Sequence, residues 1–268
     1  MDRLVRFFDS FSKKDSTTEK WLMITSLLPV VLSSLLYLIA VLIVLPAYMK
    51  DRKPFQGRKM IIIYNTVQVW LNIWIFFGLL PNVSDSFRCY PDGVKHPPKN
   101  NIKAFSYYFH LTKYLDFLDT IIFIVRKKYS QVTLLHLYHH STMPLTTWFC
   151  VRYGPDGRVS LHALLNSFVH VFTYLYYLAS ILGPQVRRFL WWKKYITLLQ
   201  MAQFVVITIH SIQSALYGCN VSLVLSLLTG MQSLIYMILF IDFYKKAYGT
   251  HKSAKETIGD FEVHKKNE

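Results

Sequence analysis

Residues 21–46 read WLMITSLLPVVLSSLLYLIAVLIVLP, a run without a single charged side chain. The hydrocarbon core of a bilayer is about 30 Å thick, and a helix that rises about 1.5 Å per residue needs about 20 apolar residues to cross it. The run meets that length, and it exceeds the apolar part of a cleavable signal peptide. We therefore predict that it forms a membrane anchor.

Six further stretches fit the same interpretation. The second and the seventh are clear, whereas the third to the sixth also carry His, Lys, Asp, Asn or Gln. The predicted spans are residues 21–46, 60–80, 103–125, 131–151, 159–183, 195–217 and 221–244. The sequence thus predicts an all-α polytopic membrane protein with seven transmembrane helices, organised as one domain over residues 21–246.

The composition agrees with this class. Of 268 residues, 53% are hydrophobic and 17% are charged, and thirty Lys and Arg against fifteen Asp and Glu give a net charge of +15. These values exclude a disordered or collagen-like chain, and three cysteines are too few for a disulfide scaffold. Because the basic residues lie between apolar spans, we expect them to meet membrane lipid or an anionic substrate and expect no nucleic-acid partner.

The distribution of Lys and Arg predicts the orientation, since cytosolic loops carry the excess. The side that holds the loop 47–59 and the C-terminal tail has eighteen of these residues, against eleven on the other side. This predicts a non-cytosolic N-terminal segment, 1–20, and a cytosolic tail, 247–268. The lysine pair Lys265 and Lys266, close to the C-terminus, resembles the dilysine signal that returns membrane proteins to the endoplasmic reticulum.

The predicted orientation places three cysteines and two glycosylation sequons relative to the membrane. Cys89 and Cys219 both fall on the non-cytosolic side, where a disulfide can persist, so we predict that they pair. Cys150 is interpreted as a small buried apolar residue. The sequons at Asn82 and Asn220 lie at the membrane edge, and we expect neither to be reliably glycosylated.

Polar side chains inside the predicted spans point to chemistry. An ionisable group in the middle of a span costs about 2.5–3.5 kcal/mol on insertion scales, so such groups face the interior of a helix bundle. Two histidines, His139 and His140, follow His136 by three and four residues, and this spacing places three imidazoles on one helical face. Asn166 and His170 lie four apart in the next span. We interpret these five residues as catalytic.

Further polar residues lie at a similar depth and are predicted to bind substrate: Lys113, Asp116, Asp119, Gln200, Gln203 and Tyr174. Each also has a structural alternative. The lysine and the aspartates fit a structural ion pair, the glutamines fit interhelical hydrogen bonds, and the tyrosine fits packing. Three isolated histidines are interpreted as satisfied helix-packing residues: His110, His162 and His210.

These positions predict a pocket with a polar reaction zone, a hydrophobic inner end and a cytosolic mouth. Basic residues border the mouth and suit the phosphates of a nucleotide, although topology alone also explains them. They are Arg126, Lys127, Lys128, Lys193 and Lys194. A fatty acyl chain carried on coenzyme A fits both ends of such a pocket.

Histidine clusters also bind metals, so other classes stay open at this point. A His-box di-iron membrane desaturase or hydroxylase needs more histidine boxes than the chain has. A mononuclear zinc site has enough ligands but no evident route for water. A seven-helix receptor or transporter would have little reason to gather four histidines beside Asp, Asn and Gln. We expect no metal and no cofactor.

Four ordered motifs resemble those of the eukaryotic very-long-chain fatty acid elongase family, the membrane type of 3-oxoacyl-CoA synthase. They are KYLDFLDT from Lys113, HLYHH from His136, HVFTYLYY from His170 and TLLQMAQF from Thr197. The resemblance covers about residues 50–250. Two positions depart from the family pattern: Asp116 stands where Glu is usual, and Thr173 where Met is usual.

The resemblance implies seven membrane helices, six of them forming a barrel around an acyl-chain tunnel, and condensation of a long-chain acyl-CoA with malonyl-CoA in the endoplasmic reticulum. We hypothesise that His139 attacks the acyl thioester, a choice among neighbours that rests on the resemblance, while His140 and His136 orient it or exchange protons. His170 and Asn166 would stabilise the enolate left by loss of CO2. Expected partners are the two CoA substrates, membrane lipid and other elongation-cycle enzymes, with a homodimer as an open alternative.

Overall fold

The computed structural model describes residues 18, 20–88, 100–154, 157–187, 190–217, 219 and 221–249. Every regular element among these residues is a helix, which confirms the all-α prediction. The α-helices in chain order are α1 Leu28–Ile39, α2 Leu45–Met49, α3 Arg58–Leu79, α4 Val83–Phe87, α5 Asn100–Leu115, α6 Phe117–Val125, α7 Leu134–Tyr153, α8 Gly157–Leu182, α9 Pro184–Arg187, α10 Lys193–Tyr217 and α11 Leu223–Tyr244.

The first predicted span becomes helical only at Leu28, because residues 20–27 form turns and bends. From there α1 continues through the π-helical segment Ala40–Val44 into α2. Pro46 accounts for the irregularity, since it has no N–H to donate and its ring crowds the carbonyl four residues earlier, inside the π segment.

Five stretches of the described residues are long and apolar enough to cross a membrane: Leu28–Met49, Arg58–Phe87, Ser160–Leu182, Leu190–Tyr217 and Leu223–Tyr248. The third and fourth predicted spans are also helical but less apolar or less continuous. Asp116 separates α5 from α6, and α7 carries the three clustered histidines. The protein is therefore a multi-pass membrane protein.

Six helices contact one another in a closed circuit. The helix α3 packs along α8, α8 against α10, α10 along α11, α11 against α7, α7 against α5, and α5 against α3 again. The helix α1 lies outside the circuit, packed on α7. Large apolar side chains such as Leu36, Trp70 and Ile209 are exposed on the outer surface, as expected for a surface that faces lipid.

The largest apolar cluster joins helices of the circuit. Its buried members are Ile75, Leu79, Ile102, Phe109, Met143, Leu161, Ala163, Leu164, Phe204, Tyr236 and Phe240. Lipid is as apolar as these side chains, so the cluster stabilises the fold by close packing more than by removal from water.

Small side chains bring α10 and α11 together. The hydroxyl oxygens of Thr208 and Ser233 lie 2.7 Å apart, and those of Ser211 and Thr229 lie 3.1 Å apart. A Cβ atom added at Gly230 would lie only 3.2 Å from the Cβ of Ser211. Close approach through small and hydroxylated residues is a common way for helices to associate in lipid.

Candidate active site

A cavity of about 780 Å³ is lined by side chains of α3, α6, α7, α8, α10 and α11. It contains all four histidines that were predicted to share one depth: His136, His139, His140 and His170. Five further predicted site residues also line it: Asp119, Asn166, Tyr174, Gln200 and Gln203. The structure thus brings most of the predicted site together, from four separate helices.

The histidine rings lie close to one another. The ring centroid of His139 is 5.3 Å from that of His140 and 6.3 Å from that of His170. The centroids of His136 and His140 are 4.1 Å apart. Local sequence sets where α7 begins, because Thr133 caps the helix by accepting a hydrogen bond from the His136 amide at 3.2 Å.

The four histidines differ in their hydrogen bonds. Nε2 of His136 lies 2.8 Å from Oγ1 of Thr120. Neither ring nitrogen of His139 has a hydrogen-bond partner among the described residues. His140 and His170 each have a buried Nδ1 without a partner in the same part of the chain. A neutral imidazole with a free nitrogen can attack an electrophile or take up a proton.

A buried charge pair lies behind the histidines. Nζ of Lys113 is 2.8 Å from Oδ2 of Asp116, and both side chains are almost fully buried. The same ammonium donates to Oδ1 of Asn166 at 3.1 Å, and Nδ1 of His170 is 4.0 Å from the same Asp116 oxygen. The ion pair predicted for Lys113 therefore forms with Asp116. Neither side chain of the pair lines the cavity. Lys113 contacts Asn166 and Asp116 lies near His170, and these two residues do line it.

The second carboxylate, Asp119, is held by tyrosines. Tyr64 and Tyr174 donate to its two oxygens at 2.9 and 2.8 Å. Gln68 is fully buried and donates to Asp116 at 2.8 Å. Tyr64 and Gln68 belong to the second span, which was interpreted as an apolar span, so neither was predicted as a site residue. Their spacing of four, which puts both on one helical face, is the signal that was available.

A ring packed beside His139 comes from α11. The ring centroid of Tyr236 lies 5.1 Å from that of His139. Gln232 donates to the Tyr236 hydroxyl at 2.8 Å, and Thr142 of α7 lies 2.8 Å from the same oxygen. These bonds hold the tyrosine ring in place. No motif in the sequence marked Tyr236.

Three of the five basic residues predicted at the mouth line the cavity: Arg126, Lys128 and Lys193. The other two do not. Lys127 donates to the backbone carbonyl of Lys50 at 3.1 Å, and the ammonium of Lys194 lies 4.9 Å from the ring centroid of Tyr195. One edge of the cavity is therefore positively charged and suits an anionic group.

A second cavity, of about 30 Å³, lies about one helical turn beyond the first. His162 precedes Asn166 by four residues on α8, and Ile207 follows Gln203 by four on α10. Its polar lining residues are His162, His210, Ser211, Ser214, Ser226 and Thr229. An apolar cluster that includes Phe204 adjoins the large cavity, and the small cavity combines these polar groups with Leu161, Ile207, Val221 and Leu225. The hydrophobic inner end stays a prediction.

Two of the three isolated histidines pack as predicted. Both ring nitrogens of His110 are hydrogen-bonded, to Thr147 at 2.8 Å and to Tyr114 at 3.2 Å. Nε2 of His210 lies 2.7 Å from a backbone carbonyl oxygen of α4. His162 differs, because its buried Nδ1 has no partner among the described residues. The prediction of a satisfied packing histidine is wrong at that position.

Cys219 is buried and disulfide-bonded, whereas Cys150 is buried and free. Cys89 lies outside the described residues, so its pairing with Cys219 stays a prediction. Asn82 is buried, and Asn220 lies outside the described residues, as do the C-terminal lysine pair and residues 1–17. Within the described ranges, no group of three or more His, Cys, Asp or Glu is arranged to hold a metal ion.

This sequence matches one known protein family over most of its length. The profile of the ELO family, described as the GNS1/SUR4 family, matches residues 22–256. This chain belongs to the GNS1/SUR4 family. The matched range contains all four motifs, and the resemblance noted from them is confirmed.

Similar GNS1/SUR4 proteins carry elongase names. "Very long chain fatty acid elongase 7" of Drosophila melanogaster is 36% identical in an alignment of 260 positions that covers 92% of this chain and 78% of the relative. The rat protein of the same name is 37% identical in an alignment of 253 positions that covers 92% of this chain and 90% of the relative. Human "Very long chain fatty acid elongase 1" is 38% identical in an alignment of 228 positions that covers 82% of each chain.

Proposed function

We propose that this protein condenses a long-chain acyl-CoA with malonyl-CoA to give a 3-oxoacyl-CoA, CO2 and free CoA. Membership of the GNS1/SUR4 family and the names of the relatives support a role in fatty acid elongation. The observation that carries the proposal is a single cavity of about 780 Å³ lined by four histidines, with basic residues at one edge. The di-iron desaturase alternative finds no support in the relatives.

The cavity is as large as a typical ligand site, and the charge at its edge suits an acyl-CoA. Its volume of about 780 Å³ lies within the usual range of ligand sites. Arg126, Lys128 and Lys193 offer positive charge for the nucleotide phosphates. The apolar rings of Phe204 and Phe240 also line the cavity and would contact the acyl chain.

In the first half-reaction, a ring nitrogen of His139 attacks the thioester carbonyl of the acyl-CoA. A carbon–nitrogen bond forms, the carbon–sulfur bond breaks, and CoA leaves as a thiolate that takes up the proton released by the other ring nitrogen of the acylated His139. The absence of a hydrogen-bond partner for His139 among the described residues supports this role, because its lone pair is available. His140 and His170 line the same cavity and would exchange this proton.

In the second half-reaction, malonyl-CoA loses CO2, and the electron pair stays on its C2 as an enolate. The enolate carbon attacks the acyl carbonyl, so the carbon–carbon bond forms as the carbon–nitrogen bond to His139 breaks. The electron pair of that bond returns to the ring nitrogen, and the ring takes up a proton to become neutral His139 again. Asn166 is oriented for this step because its Oδ1 accepts from Lys113 at 3.1 Å, which leaves its NH2 to donate to the enolate oxygen. His170 and Gln200 are further donors on the cavity wall.

We place the chain in the endoplasmic reticulum membrane with seven crossings, six of them around the acyl tunnel. The closed circuit of six helix contacts supports the tunnel. The excess of Lys and Arg and the pair Lys265–Lys266 support a cytosolic tail and a cytosolic mouth. Such a protein would work beside membrane lipid and beside the reductase and dehydratase enzymes that process a 3-oxoacyl-CoA, as a monomer or a homodimer.

The overall reaction is tested with membranes that express the chain. They are supplied with acyl-CoAs of increasing length and unsaturation and with malonyl-CoA labelled at C2, the carbon that is retained. We expect labelled 3-oxoacyl-CoA that is absent from control membranes. Label that stays in malonyl-CoA for every acyl-CoA would overturn the proposed function.

The acyl-enzyme is tested by intact-protein mass spectrometry with acyl-CoA alone. We expect a mass increase of one acyl group that hydroxylamine removes and that malonyl-CoA discharges. His139→Gln should abolish the adduct, whereas His162→Gln, a matched change at a buried histidine outside the large cavity, should retain it. An undiminished adduct in His139→Gln would reject this nucleophile.

A further inference from the structure

The first helix contributes a buried hydroxyl to the histidine group although it lies outside the helix circuit. Tyr37 of α1 is 5% exposed, and its Oη lies 2.7 Å from Oγ1 of Thr120 on α6. The same Thr120 oxygen lies 2.8 Å from Nε2 of His136 on α7. Only His136 of these three lines the large cavity. A chain of two hydrogen bonds therefore connects the outer helix to the cavity.

The direction of these bonds follows from the available hydrogens. A threonine hydroxyl has one hydrogen, and among the described residues Thr120 can donate it only to Tyr37 or to His136. If it donated to Tyr37, the phenol hydrogen would be buried without an acceptor among the described residues. If Tyr37 donates to Thr120, then Thr120 donates to His136. The remaining hydrogen, on Nδ1 of His136, then has no acceptor among the described residues, but it belongs to a ring that lines the large cavity. The second arrangement is favoured.

This direction selects one tautomer of His136. Because Nε2 accepts a hydrogen bond, the proton of the neutral ring stays on Nδ1. Tyr37, the first donor in this series of hydrogen bonds, is itself held in place. Its ring is stacked on Phe117 at a centroid distance of 4.3 Å, and its acceptor Thr120 is fully buried. The centroid of His136 lies 4.1 Å from that of His140, so its orientation also limits where His140 can lie.

We propose that Tyr37 is a positioning residue that acts through Thr120 to hold His136 in one orientation and in the Nδ1–H tautomer. Tyr37 does not touch the substrate in this role. The kinetic consequences rest on the proposed function, whereas the tautomer is a property of the resting protein and can be measured without turnover.

The direct test is ¹⁵N NMR of the full-length protein labelled at histidine. The His136 signals are assigned by their loss in His136→Gln. In the wild type we expect Nε2 of His136 to be unprotonated. Tyr37→Phe keeps the stacked ring and removes only the hydroxyl, so the Nε2–H tautomer should become populated. A wild-type Nε2 that carries the proton, or an unchanged tautomer in Tyr37→Phe, would overturn the proposal.

Kinetics provide the second measurement. Tyr37→Phe should lower kcat about three- to tenfold, the equivalent of one net hydrogen bond, with KM unchanged. Thr120→Val should have at least the same effect, Thr120→Ser should restore the wild-type rate, and Tyr37→Phe should add nothing to Thr120→Val, because both act along one path. Independent, additive effects would contradict that path.

Tyr114→Phe is the matched control. It removes a tyrosine hydroxyl that lies 3.2 Å from Nε2 of His110, a histidine that does not line the large cavity. This variant should change neither the His136 tautomer nor kcat. A loss of kcat equal to that of Tyr37→Phe would show that the loss of any buried tyrosine hydroxyl has this effect, and it would overturn the proposal. If the wild type makes no 3-oxoacyl-CoA, the proposed function fails while the tautomer measurement still decides this inference.

Discussion

Two cavities about one helical turn apart both contain histidine, yet their surroundings differ. The large cavity, of about 780 Å³, has four histidines, a buried Lys113–Asp116 pair behind its wall and basic residues at its edge. The small cavity, of about 30 Å³, has His162 and His210 among serine and threonine side chains, and no Lys, Arg, Asp or Glu is among the described residues that line it.

The difference separates the proposed reactive site from a small gap between helices whose lining is both polar and apolar. A cavity of about 30 Å³ has room for a water or two but not for a substrate. Its hydroxyls mostly bond to one another or to backbone carbonyls, as in the α10–α11 contact. Burying charged groups costs several kcal/mol each, so the Lys113–Asp116 pair distinguishes the large cavity more sharply than histidine content does.

The largest expected effect compares one histidine from each cavity. His139→Gln should lower the rate of 3-oxoacyl-CoA formation at least about a thousandfold, because the covalent step is lost. His162→Gln should leave the rate within about threefold, since it lies outside the reacting cavity. The measurement is incorporation of C2-labelled malonyl-CoA at equal membrane abundance. Equal losses in the two variants would remove the distinction between the cavities.

The buried charge pair gives the next largest effect. Lys113→Met leaves Asp116 charged and unpaired, so the free energy of unfolding should fall by about 3–5 kcal/mol. Adding Asp116→Asn removes that charge and should restore most of the stability but not the activity, because the environment of Asn166 and His170 stays altered. Thermal unfolding in detergent and the condensation assay measure the two quantities. A double variant as unstable as Lys113→Met would contradict this account.

Neighbouring lysines test the charged edge of the large cavity. Lys193 lines the cavity and Lys194 does not. Lys193→Gln should raise KM for CoA substrates about three- to tenfold, and the effect should shrink at high salt because the side chain is exposed. Lys194→Gln should leave KM unchanged. Steady-state kinetics at two salt concentrations decide this, and equal changes in both variants would show that net charge alone matters.

The smallest effect concerns two serines near the small cavity. The buried hydroxyl of Ser226 has no partner among the described residues, whereas that of Ser233 lies 2.7 Å from Thr208. Ser233→Ala should lower the free energy of unfolding by about 1 kcal/mol, while Ser226→Ala should leave it unchanged or raise it slightly. Chemical or thermal unfolding provides the comparison. A larger loss in Ser226→Ala would mean that this hydroxyl has a bound partner, such as water.

Several features of the site followed from sequence because they are local. The spacing of His136, His139 and His140 requires one helical face whatever the helix packs against. Lys113 and Asp116 lie three residues apart, a spacing that favours an ion pair, although the sequence left Asp116 and Asp119 as alternative partners. The membrane spans also follow from local composition, although Asp116 interrupts the third one.

Other features depended on how helices face each other. Tyr64 and Gln68 reach Asp119 and Asp116 because α3 lies beside the start of α6, and Tyr236 meets His139 because α11 packs on α7. A single span gives no indication of these partners, since its rotation and its axial offset against a neighbour are set by packing over its whole length.

Sequence alone determined that this is a helical membrane protein with clustered histidines at one depth and basic loops, because helical periodicity and span length are properties of short segments. Only the tertiary structure decided that His139 has no hydrogen-bond partner among the described residues, that Thr120 connects Tyr37 of the outer helix to His136, and that a small second cavity lies beside His162. These outcomes depend on contacts between segments far apart in the chain, and a contact of that kind exists only once the helices have packed.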